Sequence, residues 1–431
     1  MPLRHELSFA DLIMLGLGNV VGAGIFVITS KLIFYGGKKA LLSILIISLL
    51  SLAMGYIYLQ LHNEYSSEIV EYEAIRDNLG NISGKVSLFL IYFFAVASCV
   101  VISVALTKYI THSGYYSVSK NYDKIITIGL IALMCFINYL GITTSKHVVN
   151  VIGGAMLIML FGIIIMGGYF ALTRQTSTPS TPSQTSQTSK PSPKNGFIIA
   201  TILSIFLFNG YDIIVKMSAE TKNPDDIGIA TMTVISLTAI IYICVIISLL
   251  VVLGIHGASH THHPLSLIYE KLTNSAIAKV SYAVGGFVMF NTAFISILGG
   301  TRFFYGNIKH NTLLNHINQY GSPSIIILIT FIIATVMSLM QNEVILAIIT
   351  NFTVIIILLL LNLSYLNIKW TEQEKEHEQE QEQEQAQEQC HDQVGRFIIF
   401  ISNNWLFIAS LILLLFLFIK VIEIYYSGDL M

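Results

Sequence analysis

Gly16-Leu17-Gly18-Asn19-Val20-Val21-Gly22-Ala23-Gly24-Ile25-Phe26 lies inside the first long apolar block of the chain. Its four glycines within nine residues are an odd choice for a helix interior, where each costs about 1 kcal/mol relative to alanine. Two readings fit. Gly18 and Gly22 have the small-xxx-small spacing that lets membrane helices approach closely. Alternatively the helix is discontinuous, with Gly22-Ala23-Gly24 unwound and its backbone N–H groups free. In a bilayer such groups are tolerated only where they line a cavity or meet a ligand.

The surroundings of this stretch are a membrane protein's. Of 431 residues, 54% are hydrophobic and 11% charged, where a soluble domain has about 25% charged. The apolar residues fall in blocks near the roughly 20 residues that cross a bilayer as helix. Eleven such blocks run near 9–34, 40–61, 86–110, 125–140, 147–172, 197–218, 229–254, 277–304, 323–340, 343–367 and 397–424. The last is long for one span, either a tilted helix or a short helix and a longer one. The fold class expected is an all-α integral membrane protein with about 11–12 transmembrane helices.

Other classes are disfavoured. A net charge of −2 gives no argument for nucleic acid. Cys99, Cys135, Cys244 and Cys390 form no close pair, so neither a disulfide framework nor a cysteine metal site is expected. Arg4 and His5 precede the first block without a small-residue cleavage site, so that block is expected to stay as a transmembrane helix. The loop holding His256, His260, His262 and His263 has imidazoles that could bind zinc or copper. It lacks an adjacent carboxylate or cysteine, and no metal site is assigned there. No nucleophile, base and orienting group recur together, so no catalytic residue, cofactor or enzyme activity is expected.

Two low-complexity inserts interrupt the blocks. Residues 173–195 are Ser, Thr, Pro and Gln, which cannot bury apolar surface and predict a flexible loop. Residues 371–396 are dominated by a Glu-Gln run, expected as a disordered cytosolic loop with a solvated helix as the alternative. The chain thus divides into 1–172, the insert 173–195, a second unit 196–370, the insert 371–396, and a C-terminal span and tail, 397–431.

A second interruption matches the first. The sixth block reads Phe206-Leu207-Phe208-Asn209-Gly210-Tyr211-Asp212, then Ser218-Ala219-Glu220-Thr221-Lys222-Asn223-Pro224. Asn209, Gly210 and Asp212 suit neither lipid nor a helix middle. Asn209 is placed to cap a new helix with Asp212 in its first turn, where the helix dipole favours negative charge. Paired interruptions in corresponding helices of two repeats are the best sequence pointer to a transporter site near the bilayer midplane.

At these residues the chain resembles amino acid permeases of the amino acid–polyamine–organocation superfamily. Gly16 to Val27 is similar to their first-helix signature, and Phe206 to Asp212 with Ala219 to Pro224 to their sixth helix and following loop. Weaker likenesses are Asn138-Tyr139-Leu140-Gly141-Ile142, Glu71-Tyr72-Glu73 with Leu79-Gly80, and Arg302-Phe303-Phe304-Tyr305. The resemblance spans about residues 8–305.

It implies an inverted-repeat (5+5) transporter fold with helices 1 and 6 discontinuous, working by alternating access on amino acids. The substrate carboxylate would sit on the N–H groups of Gly22, Ala23, Gly24 and Ile25, at the positive end of a half-helix. Its ammonium would meet carbonyls of Phe206, Leu207 and Gly210, in a break that also holds Phe208 and Asn209. Phe206 matches an aromatic gate over the substrate, with an ordinary core Phe as the plain alternative. Asp212 caps a helix or contacts a cationic substrate. A polyamine or organic-cation transporter, and a sensor that binds without carrying, are the rival functions.

The resemblance also bears on energy and orientation. Many proton-linked relatives carry a lysine in helix 5; the matching position here is Met156, and Lys146 lies too near the helix end to replace it. Sodium coupling or exchange of amino acids is then expected, with an ion held by carbonyls of Gly18 and Val21 and a hydroxyl of Thr292 or Ser296. Lys and Arg divide nearly evenly between the two sets of loops, so the positive-inside rule is silent. The resemblance places the N-terminus in the cytoplasm. It implies the lipid bilayer and an amino acid as partners, and leaves host membrane and oligomeric state open.

Overall fold

The computed structural model describes residues 7–65, 69–112, 122–141, 146–176, 195–216, 221–223, 225–307, 314, 316–383 and 392–427. The described chain is helical, with only two isolated bridges, Leu7 to Thr221 and Ile317 to Pro323. The helices are α1 Phe9–Val20, α2 Gly24–Gly36, α3 Ala40–Tyr65, α4 Val70–Leu79, α5 Asn81–Thr111, α6 Asp123–Tyr139, α7 Lys146–Thr176 and α8 Gly196–Phe208. There follow α9 Asp212–Lys216, α10 Asp226–Val252, α11 Gly254–Ser259, α12 Pro264–Leu272, α13 Ser275–Asn307, α14 Ser324–Ser338, α15 Glu343–Gln383 and α16 Asp392–Ser427.

Eight stretches are each long and apolar enough to cross a membrane, the first being Gly24–Tyr65, which holds α2 and α3. The shorter apolar helices Phe9–Val20 and Ser324–Ser338 add to them. The chain is therefore an all-α, multi-pass integral membrane protein. The first segment divides into α1 and α2 and the sixth into α8 and α9, so both interruptions are real breaks.

Local chemistry explains where elements start. The Ser8 hydroxyl accepts the Asp11 N–H, and the Asp11 carboxylate accepts the Ser8 N–H and hydroxyl. This reciprocal capping box opens α1. Just before it, Leu7 accepts a hydrogen bond from Lys222 N–H, tying the start of α1 to the segment after α9. In the bundle, α5 packs along α13 and α15, α2 against α8, and α10 against α1, α3 and α7. Both half-helix pairs are thus held in the bundle's interior, where an unwound turn can be satisfied by protein.

The inserts turn out differently from expectation where they are described. The helix of α15 runs on through the Glu-Gln run to Gln383, so this part is helical, not a disordered loop. Glu, Gln and Lys are good helix formers, and a bundle helix already nucleated needs no further nucleation to extend. Lys369 pairs with Glu372, and the Trp370 indole donates to Glu374. Residues 384–391, with Cys390, lie outside the described residues, as do 177–194 of the Ser/Thr/Pro insert; α7 reaches Thr176. The long final block is kinked, with Asn404 non-helical (φ −114°, ψ 18°) inside α16.

A candidate substrate site at two helix breaks

The two breaks face each other. Asn19 on α1 donates its amide to the Gly210 carbonyl across 2.8 Å. The Tyr242 hydroxyl on α10 lies 2.8 Å from the Leu207 carbonyl and 3.0 Å from that of Val20, so its one proton is shared between the breaks. Tyr242 is buried, with its ring edge-on to Phe208 at 5.6 Å. In a low-dielectric interior such satisfied networks fix one arrangement. α2 begins with Ala23 accepting from Phe26 and Val27. Among the described residues, the N–H groups of Gly22, Ala23, Gly24 and Ile25 have no main-chain acceptor.

The glycines show why this turn is built as it is. A Cβ on Gly22 would stand 2.8 Å from Thr292 Oγ1, 2.9 Å from Asn19 O and 3.0 Å from Gly18 O. A Cβ on Gly24 would stand 3.4 Å from the Leu207 Cα and the Phe206 carbonyl oxygen. Gly210 has φ +112°, and a Cβ there would meet the Asn19 amide nitrogen at 2.5 Å. A Cβ on Gly18, by contrast, would meet nothing within 4 Å. The close approach belongs to the unwound turn and not to a Gly18–Gly22 helix contact, which decides between the two sequence readings.

Between the breaks lies a cavity of about 230 Å³. Asn19, Val20 and Gly24 line it from the first break and Phe206, Asn209, Gly210, Tyr211 and Asp212 from the second. Its walls are Ile91, Phe94, Ala95, Ser98 and Ile102 of α5, Thr292, Ile295, Ser296 and Phe303 of α13, and Val354, Ile357 and Leu358 of α15. Glu71 on α4 and Tyr58 on α3 also line it, and the Tyr58 hydroxyl donates to Glu71 across 3.3 Å. The volume is below the roughly 300 Å³ where drug-sized pockets begin. It suits a small solute with a few polar groups.

The structure brings the sequence-predicted residues together, with differences in detail. Gly24, Phe206, Asn209 and Gly210 line the cavity; Ala23, Ile25, Leu207 and Phe208 are buried beside it. The Leu207 and Gly210 carbonyls already accept from Tyr242 and Asn19, each keeping a second lone pair. Asn209 is the C-cap of α8 in extended conformation (φ −67°, ψ 141°) and not the N-cap of α9. Its amide nitrogen is buried without a partner. Asp212 does open α9. Residues 217–220 and 224, with Ser218, Ala219, Glu220 and Pro224, lie outside the described residues.

Of the ion-site residues, Thr292 abuts the first break through Gly22 and Ser296 sits one turn on; both hydroxyls donate to their own helix and keep acceptor lone pairs. Val21 is buried at the turn. Met156 is fully buried, and Gly153 one turn before it faces Gly18 across 3.8 Å from its would-be Cβ. A thioether therefore sits on the helix turn that crosses α1. The side chain of Lys146 lies outside the described residues.

Sequence reasoning missed Tyr242, Ser98 and a buried ion-pair cluster on Glu343. Tyr242 gives no local signal, because its partners are 222 and 35 residues away. At the end of α5 far from Glu71, Glu343 is buried and paired with Lys31 at 3.1 Å and with Lys108. His262 Nδ1 is 3.9 Å from the same carboxylate. Burial, with Lys31 beside it, pulls the His262 pKa down to about 4, so at neutral pH this contact is polar and not an ion pair. Among the described residues, no three His, Cys, Asp or Glu side chains gather to hold a metal ion. His256 and His260 instead stack on each other at 4.3 Å.

A profile of amino acid permeases matches residues 7–428, nearly the whole chain. The chain belongs to the amino acid permease family. Cationic amino acid transporter 5 of Arabidopsis thaliana is 24% identical over 259 residues, covering 57% of this chain and 44% of that protein. Branched-chain amino acid permease BcaP of Bacillus subtilis is 23% identical over 318 residues, covering 69% and 65%. Cationic amino acid transporter 4 of mouse is 24% identical over 316 residues, covering 69% and 48%. The matches span about half to two thirds of the length of these permease relatives.

Proposed function

We propose that the chain is a secondary active transporter that moves amino acids across a membrane by alternating access. The observation that carries this reading is the meeting of two helix breaks over one cavity, tied by Asn19 and Tyr242. An amino acid brings a carboxylate and an ammonium on one carbon. The carboxylate is met by the unpaired N–H groups of Gly22 to Ile25 and the amide of Asn209, at the positive end of α2. The ammonium is met by the Phe206 carbonyl and the spare lone pairs of Leu207 and Gly210 at the end of α8. Phe206 then covers the ligand.

Coupling follows the same geometry. With Met156 in place of a helix-5 lysine, the proton carrier of many proton-linked relatives is replaced by a thioether, and sodium or a counter-exchanged amino acid supplies the driving force. Sodium would use the carbonyls of Gly18 and Val21 with the Thr292 or Ser296 hydroxyl. The N-terminus is assigned to the cytoplasm, which puts α4 with Glu71 on the cytosolic side.

A second reading concerns the substrate's charge. Two carboxylates, Glu71 and Asp212, are among the cavity's lining residues, which favours a cationic side chain. Relatives named for cationic amino acids agree with it; the one named for branched-chain amino acids does not. The test is radiolabelled uptake into proteoliposomes, competed by a panel of amino acids and polyamines, with sodium and pH gradients imposed separately. Saturable uptake that amino acids inhibit and polyamines do not is expected. Binding without flux would replace the transporter by a sensor, and uptake driven by pH alone would overturn the coupling.

A further inference from the structure

Serine and threonine hydroxyls in a membrane helix have an easy partner, the carbonyl one turn back. This chain uses it at most such positions; Thr238 and Thr335, whose buried hydroxyls lack a partner, do not line the central cavity. Ser87, Ser204, Ser248, Ser281, Ser296 and Ser364 each donate to the carbonyl three or four residues earlier. Ser98 does not. The residue is 6% exposed, it lines the central cavity, and its hydroxyl has no partner among the described residues. It is the one polar residue in the stripe that α5 presents to the cavity, between Ala95 and Ile102.

Buried polar groups in proteins are nearly always bonded, and each exception calls for an explanation. Here the explanation has a place to act. The substrate's carboxylate and ammonium are accounted for by the two breaks, on the reading proposed above. What remains of the ligand to face α5 is its side chain. The Asn209 amide nitrogen, also buried and unpartnered, is taken by the carboxylate on that reading, which leaves the Ser98 hydroxyl for the side chain.

We propose that Ser98 reads the substrate's side chain, and that this side chain carries a hydrogen-bonding group. The inference rests on the amino acid reading of the cavity and narrows it to polar or cationic amino acids. A purely aliphatic side chain would leave the Ser98 hydroxyl buried and unpaired in the complex, and a site built around a hydrogen bond rejects the analogue that lacks one. Ser98 is a specificity residue in this account. It is not required for the breaks to form, since neither break contacts it through a hydrogen bond.

The test compares near-isosteric pairs differing in one polar group, threonine with valine and lysine with norleucine. Purified protein and its Ser98→Ala variant are assayed for each pair, as flux in proteoliposomes and as competitive binding in detergent. A ratio within one preparation does not depend on how much protein is active. The wild type is expected to favour the polar member of at least one pair. Ser98→Ala should cut that preference roughly tenfold, the usual scale of one hydrogen bond. A preference unchanged in the variant for both pairs overturns the role of Ser98, as does a wild type that favours the aliphatic members. Absence of any saturable amino acid binding or uptake would overturn the permease reading itself, and this inference with it.

Discussion

At the residue scale, one phenol and three glycines set the geometry of the site. Tyr242→Phe keeps the ring beside Phe208 but strips the donor shared by the Val20 and Leu207 carbonyls. Leaving buried acceptors unmet costs about 1–3 kcal/mol, so thermal unfolding in detergent should shift down and uptake should fall with it. An unchanged midpoint would mean that the two breaks hold themselves. The glycines can be told apart in the same way. Gly22→Ala drives a methyl into Thr292 and the Asn19 carbonyl and is expected to abolish uptake, whereas Gly18→Ala points into open space and should retain it. If both behave alike, the unwound turn is not what the glycines serve. The unwound turn was legible from sequence because glycine is so costly in a helix. Tyr242 was not, because an aromatic in an apolar span looks like any other until its partners are known.

At the element scale, buried carboxylates join helices that are distant in sequence. Glu71 and Asp212 line the cavity, while outside its lining Glu343 at the start of α15 gathers Lys31 of α2 and Lys108 of α5. A carboxylate this buried holds three elements together, and removing it leaves two lysines facing one another. Breaking such a pair costs about 3–5 kcal/mol, so Glu343→Gln is expected to lower the unfolding midpoint well beyond Glu372→Gln on the exposed part of the same helix. Equal shifts would show that the cluster contributes nothing. His262 beside it adds a pH effect. Its folded pKa is depressed to about 4 from an ordinary value near 6.5, so between those values the unfolded chain binds a proton that the folded chain does not. Stability from this group is complete above about pH 6.5 and is lost as pH falls towards 4. His262→Gln should flatten that slope in a midpoint-versus-pH series; an unaltered slope would assign it to other groups. None of this cluster was readable beforehand, since Lys31, Lys108 and Glu343 lie far apart in sequence. The helical Glu-Gln run was misjudged for a different reason: its composition suits both coil and helix, and the preceding span tips the balance.

At the scale of the whole molecule, apolar block lengths were enough to place the spans, and paired interruptions were enough to place the two helix breaks that line the central cavity. What sequence could not supply is which polar atoms inside the bundle are spare. Most hydroxyls and amides there are consumed by their own helices or by neighbours, and only the packed structure separates those from Ser98 and Asn209. The central claim is that one ligand satisfies both breaks, its carboxylate at α2 and its ammonium at α8. It is tested most directly by competing uptake of a transported amino acid with that amino acid's own methyl ester and N-acetyl derivative. The account predicts that each derivative, having lost one charge, competes at least roughly tenfold more weakly than the parent, a loss typical of one charged hydrogen bond. A derivative that competes as well as the parent would contradict it.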